Sequence, residues 1–471
     1  MRRNTKIVVT IGPSSSSEEK LEELIRAGVD VFRLNFSHGS HESHGASIGL
    51  IRKLSQKTGK PVGVLQDLCG PKIRVGKLEE PLTVEKGDAL AICSGETCRD
   101  GAIPVNYPYL AQDVAPSERL LLADGMIELE VEEIRGDQII TRVKNRGVIS
   151  SGKGVNFPDS PLRIEAFTEK DRRDFMFGLE MGVDFVAVSF VRSAEDLAEP
   201  VQIIRERRVR PMILAKIEKP QAMANLKQIL KLADGIMVAR GDLGVEMPLE
   251  RVPRAQKEII HATRMAGKPV ITATQILTSM IKNPRPTRAE ASDVANSILD
   301  GTDALMLSDE TAVGEYPVES VKTLDLIARA TEPMIDSQGF LDGCDADLVS
   351  HTAAAVSHAA CWLARDLGAS AIAAFTTSGA TARLVSRFRP PQAILGLSAE
   401  PYTLRQLSLS WGIIPGPIPK VEDAGLLDGL ALKSAREHGV AAPGANLIII
   451  AGAPLGKAGT TNLVKVAEMA K

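Results

Sequence analysis

Short, almost uninterrupted apolar runs recur along the chain, with amphipathic stretches between them. The runs are KIVVTIG (6–12), VDVFRLNF (29–36), PVGVLQDL (61–68), FVAVSF (185–190), PMILAKIE (211–218), GIMVA (235–239), PVITAT (269–274) and ALMLSDET (304–311). Strands this continuously apolar are covered on both faces, as in parallel sheets whose crossovers are helices. The stretch SEEKLEELIRAG (17–28) has a Ser, then an acidic first turn and a closing Gly, which predicts a capped helix. Eight such alternations predict an α/β chain built on a closed (β/α)8 TIM barrel. An open doubly wound sheet has the same periodicity and stays open as the alternative.

The polar residues that end these runs converge on one rim. They are Arg33, Asn35 and Ser37 after the second run, Asp67 after the third, Ser189 after the fourth, Lys216 and Glu218 after the fifth, Asp242 after the sixth, Thr274 after the seventh, and Ser308 and Glu310 after the eighth. Barrel active sites are assembled at the carboxyl ends of strands, so this rim is the candidate site. Its centre is residues 211–244, where a strand, a helix-permissive segment QAMANLKQILKLA and a second strand form one βαβ unit. Glu218 and Asp242 then emerge on adjacent strands, with Lys216 on the same side as Glu218. In isolation a K-x-E is a structural salt bridge; at a barrel rim, two hard oxygen ligands beside an ammonium suit a divalent metal and an anionic substrate. The Gly241-Asp242-Leu243-Gly244 turn opens a helix whose N–H groups favour a carboxylate or phosphate.

Residues 1–71 and 166–335 make the two parts of the barrel. Between them, 72–165 carries short alternating runs such as LTVEKGDALAIC and LLLADGMIELEVEEI, punctuated by turn residues. That pattern predicts an inserted small all-β lid domain, placed to close over the rim and exclude water. Lys153, in SSGKGVNF, either meets an anionic ligand on closure or is a solvated loop lysine. Residues 336–471 resume an alternating pattern as a separate C-terminal three-layer α/β domain. Its turn Thr376-Thr377-Ser378-Gly379-Ala380-Thr381, followed by Arg383, Arg387 and Arg389, is either a phosphate-binding loop or a capped turn. GKAGTT (456–461) lacks P-loop spacing.

Composition narrows the function. A net charge of −3 and 4% aromatic residues give no footprint for nucleic acid. No apolar run reaches the length of a membrane span, and the basic N-terminus enters a strand without a cleavage motif, so a cytoplasmic protein is expected. Cys69, Cys93, Cys98, Cys344 and Cys361 are odd in number and scattered, which predicts ordinary thiols. His38, His41 and His44 are spaced by three, but the strand-end carboxylates explain a metal without them.

The segments FRLNFSHG (32–39), DLCGPKIRVG (67–76), ILAKIE (213–218), GIMVARGDLGVE (235–246), ITATQILTSMI (271–281) and PRPTRAEASDVANSILDGTDALMLSDET (284–311) together resemble the pyruvate kinase family over nearly the whole chain. The resemblance implies phosphoryl transfer from phosphoenolpyruvate to ADP, giving pyruvate and ATP, with Mg²⁺ required and Mn²⁺ as a substitute. It assigns Lys216 and Arg33 to the moving phosphoryl group, Glu218 and Asp242 to the metal, and Gly241, Asp242 and Thr274 to the substrate carboxylate. Thr274, Ser308 and Glu310 fall in the region that protonates the enolate. Pro13, Asn35, Ser37, His38, Arg74 and Lys153 match nucleotide-side positions, and Thr376, Thr377, Ser378, Gly379 and Thr381 an effector loop. A homotetramer with a phosphorylated effector at the C-terminal domain is implied as well.

Three positions depart from the family's commoner pattern. Lys72, with Leu68 and Val75, matches a branch that does not require K⁺: an ammonium near Asn35, Ser37 and Asp67 supplies the charge that K⁺ otherwise brings. Asp309 replaces a glycine beside Ser308 and Glu310, and Thr377 replaces a lysine in the effector loop. Two rivals remain from the residues alone: a metal-dependent aldolase or lyase acting on an enolate, and a weakly catalytic metabolite sensor.

Overall fold

A computed structural model describes residues 2–98, 101–343, 351–456 and 459–470. The strands Lys6–Thr10, Val31–Asn35, Gly63–Asp67, Phe185–Val188, Met212–Ile217, Gly235–Ala239, Val270–Ala273 and Ala304–Leu307 close into one parallel barrel in chain order. Closure is direct, because Lys6 pairs with Ala304 and Val9 with Leu307. The barrel, rather than the open sheet, is therefore the fold. The helix Glu18–Ala27 starts on the Ser17 side chain and stops at Gly28 in the left-handed region (φ 117°). The helix-permissive stretch after Glu218 is two short helices, Pro220–Ala224 and Leu226–Leu232. Asn225 separates them, and its amide donates to the carbonyls of Arg192 and Gln221.

The period of two along each strand decides what reaches the rim. Val8, Val31, Leu65, Phe185, Ala187, Met212, Leu214, Met237, Ile271, Ala273, Ala304 and Met306 form the barrel's inner core. Two residues further along the same columns are Thr10, Arg33, Asp67, Ser189, Lys216 and Ser308, so the site is the polar top of an apolar stack. At the opposite end Leu409 of the C-terminal domain packs with the inner core and stoppers it.

The inserted residues form a six-stranded sheet and a two-stranded ribbon with their own core, including Val105, Leu120, Leu129 and Phe157. Cys93 and Cys98 come together there with Cα atoms 6.3 Å apart, within disulfide reach, so the five thiols are not all scattered in space as they are in sequence. The turn through Gly95 (φ 137°) folds the chain back on itself and brings the two together. Cys69 is a thiol, Cys361 reaches the Val385 carbonyl, and Cys344 lies outside the described residues. In the C-terminal domain, four parallel strands and the antiparallel edge strand Thr461–Glu468 make a five-stranded sheet. Separate apolar clusters cover its two faces, which gives the three layers.

Candidate active site

Strand pairing sets Asn35 opposite Asp67, and Asp67 opposite Ala187, at the carboxyl rim. Asp67 is 1% exposed and forms an ion pair with Arg33 at 2.6 Å and with Lys216 at 3.3 Å. Lys216 Nζ also lies 2.8 Å from Glu218 and donates to Ser189 Oγ at 2.8 Å. Arg33 donates to Thr10 Oγ1 at 2.9 Å, and Glu218 Oε2 accepts the Phe190 N–H at 2.7 Å. Two cations and two anions are thus interleaved in a nearly dry mouth.

Burial alone would lower the Lys216 ammonium, but Asp67, Glu218 and Asp242 outweigh it and hold its pKa above the ordinary lysine value. Burial pushes the Asp67 carboxyl up, and Lys216 and Arg33 more than reverse that. Asp242 is the exception. Burial and then the neighbouring Glu218 charge raise its carboxyl to about 7, because Lys216 compensates only in part. A site that makes one of two adjacent carboxylates hard to ionise is short of positive charge, and a divalent cation supplies it. Among the described residues no set of three or more His, Cys, Asp or Glu side chains converges. Two carboxylates are nonetheless a sufficient protein contribution for Mg²⁺, which keeps waters and substrate oxygens as its other ligands.

Thr274 is held in the left-handed region at φ 65°, and the following Gln275 at 53°. For a β-branched residue this is strain, of the kind that clusters at ligand sites. Arg240 stabilises it by donating to the Thr274 and Gln275 carbonyls while paired with Asp293 at 2.6 Å. Thr274 Oγ1 accepts the Gly241 N–H at 2.7 Å, so the two groups expected to grip a carboxylate grip each other. Both Glu310 oxygens are occupied by backbone N–H groups, of Leu277 at 2.9 Å and Ser308 at 2.7 Å. Glu310 ties two rim loops together here. Asp309 is exposed in the first turn of the helix Asp309–Ala312, where a carboxylate complements the helix dipole.

A cavity of about 570 Å³ opens between rim and lid, walled by Lys72, Arg74, Asp124, Lys153, Arg192 and Asp242 among others. Of the nucleotide-side candidates, Arg74 and Lys153 line it; Pro13 and His38 are exposed on nearby rim loops, and Asn35 and Ser37 lie outside its wall. Lys72 also faces this cavity and makes no ion pair among the described residues, while Leu68 packs in the barrel core and Val75 in the lid core. His41 pairs with Asp174 at 2.7 Å, and His44 bonds the His38 carbonyl.

Of the effector-loop candidates, Thr376, Thr377, Ser378 and Thr381 line a second cavity of about 150 Å³ with Ser398, Glu400 and Lys420, and Gly379 lies outside its wall. Gly379 takes φ 83° and Thr381 shares a hydrogen bond with Thr461. The basic residues read alongside this loop turn elsewhere. Arg389 pairs with Asp303 at 3.2 Å and Arg387 donates to the Met265 carbonyl, while Arg383 donates to the Ser378 carbonyl of the loop. Arg387 and Arg389 lie just past the end of the helix Ala380–Ser386, where the chain meets the foot of the barrel.

The family model described as "Pyruvate kinase, barrel domain" matches residues 2–321, and "Pyruvate kinase, alpha/beta domain" matches 354–467. The chain belongs to the pyruvate kinase family. Pyruvate kinase of Geobacillus stearothermophilus is 44% identical over 99% of this chain and 80% of its own length. That of Clostridium acetobutylicum is 41% identical over 98% of this chain and 99% of its own, and that of Agrobacterium vitis 42% over 99% and 97%. The chain is accordingly a phosphotransferase acting on phosphoenolpyruvate and ADP to give pyruvate and ATP, and the aldolase, lyase and sensor alternatives fall away. The reaction of this family uses a divalent metal.

Sequence reasoning missed Thr10, Arg240, Lys219 and Glu246. Thr10 was legible as the top of the first inner column. Arg240 and Glu246 sit in the segment of densest motif and were hidden by their neighbours Gly241 and Asp242.

Proposed function

We propose that the transfer is carried out by the Arg33, Asp67, Lys216, Glu218 and Asp242 cluster, with the nucleotide in the cavity beneath the lid. The observation that carries this is the charge arrangement: Lys216 sits among Asp67, Glu218 and Asp242, and Asp242 forms one wall of the cavity. Phosphoryl transfer needs positioning and neutralisation of the moving group's oxygens more than covalent chemistry. Lys216 and Arg33 neutralise those oxygens, held in place by Asp67. Glu218 and Asp242 hold Mg²⁺, or Mn²⁺ in its stead. Bound there, the ion supplies Lewis-acid polarisation of the transferring phosphate and of the substrate carboxylate. Gly241 N–H and Thr274 Oγ1 exchange their mutual bond for the substrate carboxylate. Arg74 and Lys153 take the nucleotide phosphates, with Pro13, Asn35, Ser37 and His38 at the border. The enolate left behind is protonated at carbon through the Thr274 and Ser308 side, where Glu310 holds the loops.

Lys72 stands in for K⁺, supported by its place with Arg74 on the cavity wall and by its making no ion pair among the described residues. The effector loop takes a phosphorylated ligand, supported by the hydroxyl-rich second cavity, and the assembly is a homotetramer acting in the cytoplasm. No helix among the described residues is long and apolar enough to cross a membrane.

The test is pyruvate release from phosphoenolpyruvate and ADP. Chelation should abolish it and Mg²⁺ restore it, while K⁺ added at constant ionic strength should change the rate less than about twofold. A several-fold rise with K⁺ would remove Lys72 from its role and leave the rest standing.

A further inference from the structure

The lid meets the barrel at Arg192, which donates to the Leu162 and Ile164 carbonyls, and at the short helix Arg240–Glu246, which also carries Asp242. Asn156, on the lid strand Val155–Asn156, donates through its amide to Glu246 Oε1 at 2.7 Å. Lys219, the residue after Glu218, donates to the same oxygen at 2.6 Å. Beside them the lid turn at Gly125 (φ 81°) lies against Val245: a Cβ there would be 3.5 Å from its Cγ1. Glu246 is 3% exposed, and its Oε2 is buried without a partner among the described residues. The carboxylate is therefore secured through one oxygen by two donors, one from each domain. Asn156, Lys219 and Asp242 all line the 570 Å³ cavity.

We propose that Glu246 is a positioning residue that clasps the lid to the metal-side helix and fixes Lys219 at the edge of the nucleotide cavity. Each partner belongs to a different working part: the closing lid, the metal-ligand helix, and the residue that follows Glu218. A charge-assisted bond shared among the three links lid seating to the placement of the groups that meet the nucleotide phosphates. When the lid lifts, Glu246 keeps only Lys219 as a donor, which favours the seated state. An ordinary structural ion pair would contribute to folding and leave the two substrates equally affected. A clasp acts on the substrate the lid covers.

The inference rests on the assignment of this cavity to the nucleotide, and the test separates the two. In the full chain, Asn156→Asp sets two carboxylates against each other and should raise the KM for ADP about tenfold, with the KM for phosphoenolpyruvate within about twofold. Adding Glu246→Gln restores an amide-to-carboxylate bond with reversed polarity, and should return the KM for ADP to within about threefold of the parent. Should Asn156→Asp fold poorly, Asn156→Ala removes the bond without adding charge and should raise the KM for ADP about fivefold. An unchanged KM for ADP in the folded single variants, or a double variant worse than Asn156→Asp alone, overturns the clasp. A rise confined to phosphoenolpyruvate overturns the nucleotide assignment and the inference with it.

Discussion

Both ends of the barrel bury charges and use them in opposite ways. At the foot, the second, fourth, sixth and eighth strands are each preceded by an aspartate: Asp30, Asp184, Asp234 and Asp303. Each accepts a backbone N–H from the strand before, of Ile7, Val64, Ile213 and Val270, at 2.9 to 3.1 Å. Three of them also pair with cations: Asp30 with Arg3 and Lys60, Asp184 with Arg52 and Arg405, Asp303 with Arg389. Backbone donors and ion pairs together hold the buried Asp30, Asp184 and Asp303, so these brace the strands, and Asp184 and Asp303 also dock the C-terminal domain, while Asp234 is exposed. At the rim, Asp67, Glu218 and Asp242 are held mainly by Lys216 and Arg33, and the balance is left incomplete at Asp242. Burial is common to both ends. Completeness of pairing distinguishes a structural charge from a working one.

The largest break in that comparison is Lys216→Met. It should lower turnover by about 10³-fold or more while the chain stays folded, because Arg33 still compensates Asp67. Pyruvate release and a thermal melt on the same preparation decide it; a comparable loss of fold would place Lys216 with the foot charges. Asp303→Asn is the converse. It leaves the 1%-exposed Arg389 without its counter-charge and puts an NH2 in place of one of the two oxygens that accept from the Trp411 and Val270 N–H groups. Stability should drop by about 3–5 kcal/mol in urea denaturation, with the specific activity of the folded fraction in the cold nearly unchanged. A selective loss of activity would mean that the foot is not merely structural.

A smaller effect separates the ends by pH. Burial first, with Arg2, Arg3 and Lys60 adding to it against Asp30, lowers the Lys6 ammonium to about 7, where it donates to the Ile413 carbonyl. Between about pH 7 and the ordinary lysine value the unfolded chain binds the proton that the folded chain has released, so this site adds stability as pH rises. The slope is at most about 1.4 kcal/mol per pH unit. The parent's stability relative to Lys6→Met should thus climb from pH 7 to pH 9; a flat difference would show that Lys6 stays charged in the fold.

Much of this was legible from local pattern. The eight strands, their polar tips and the lid's alternating runs are set by periodicities of two and 3.6, which need no knowledge of distant partners. Arg387 and Arg389 show the limit: their neighbourhood in sequence suggested the effector loop, whereas they lie past the end of the helix Ala380–Ser386 and meet the barrel foot. Cys93 and Cys98 were visible as residues but not as neighbours, since their meeting depends on the turn through Gly95.

By itself, then, the sequence determined which residues stand at the top of each barrel column, because alternation along a strand is a local property of the backbone. Only the tertiary structure decided which of those residues touch, and which charges are satisfied. Asn156 and Glu246 are 90 positions apart, and Leu409 enters a barrel whose first inner residue is Val8. Such contacts follow from barrel closure and domain docking, and the pairing they create determines whether a buried charge braces the fold or remains available for chemistry.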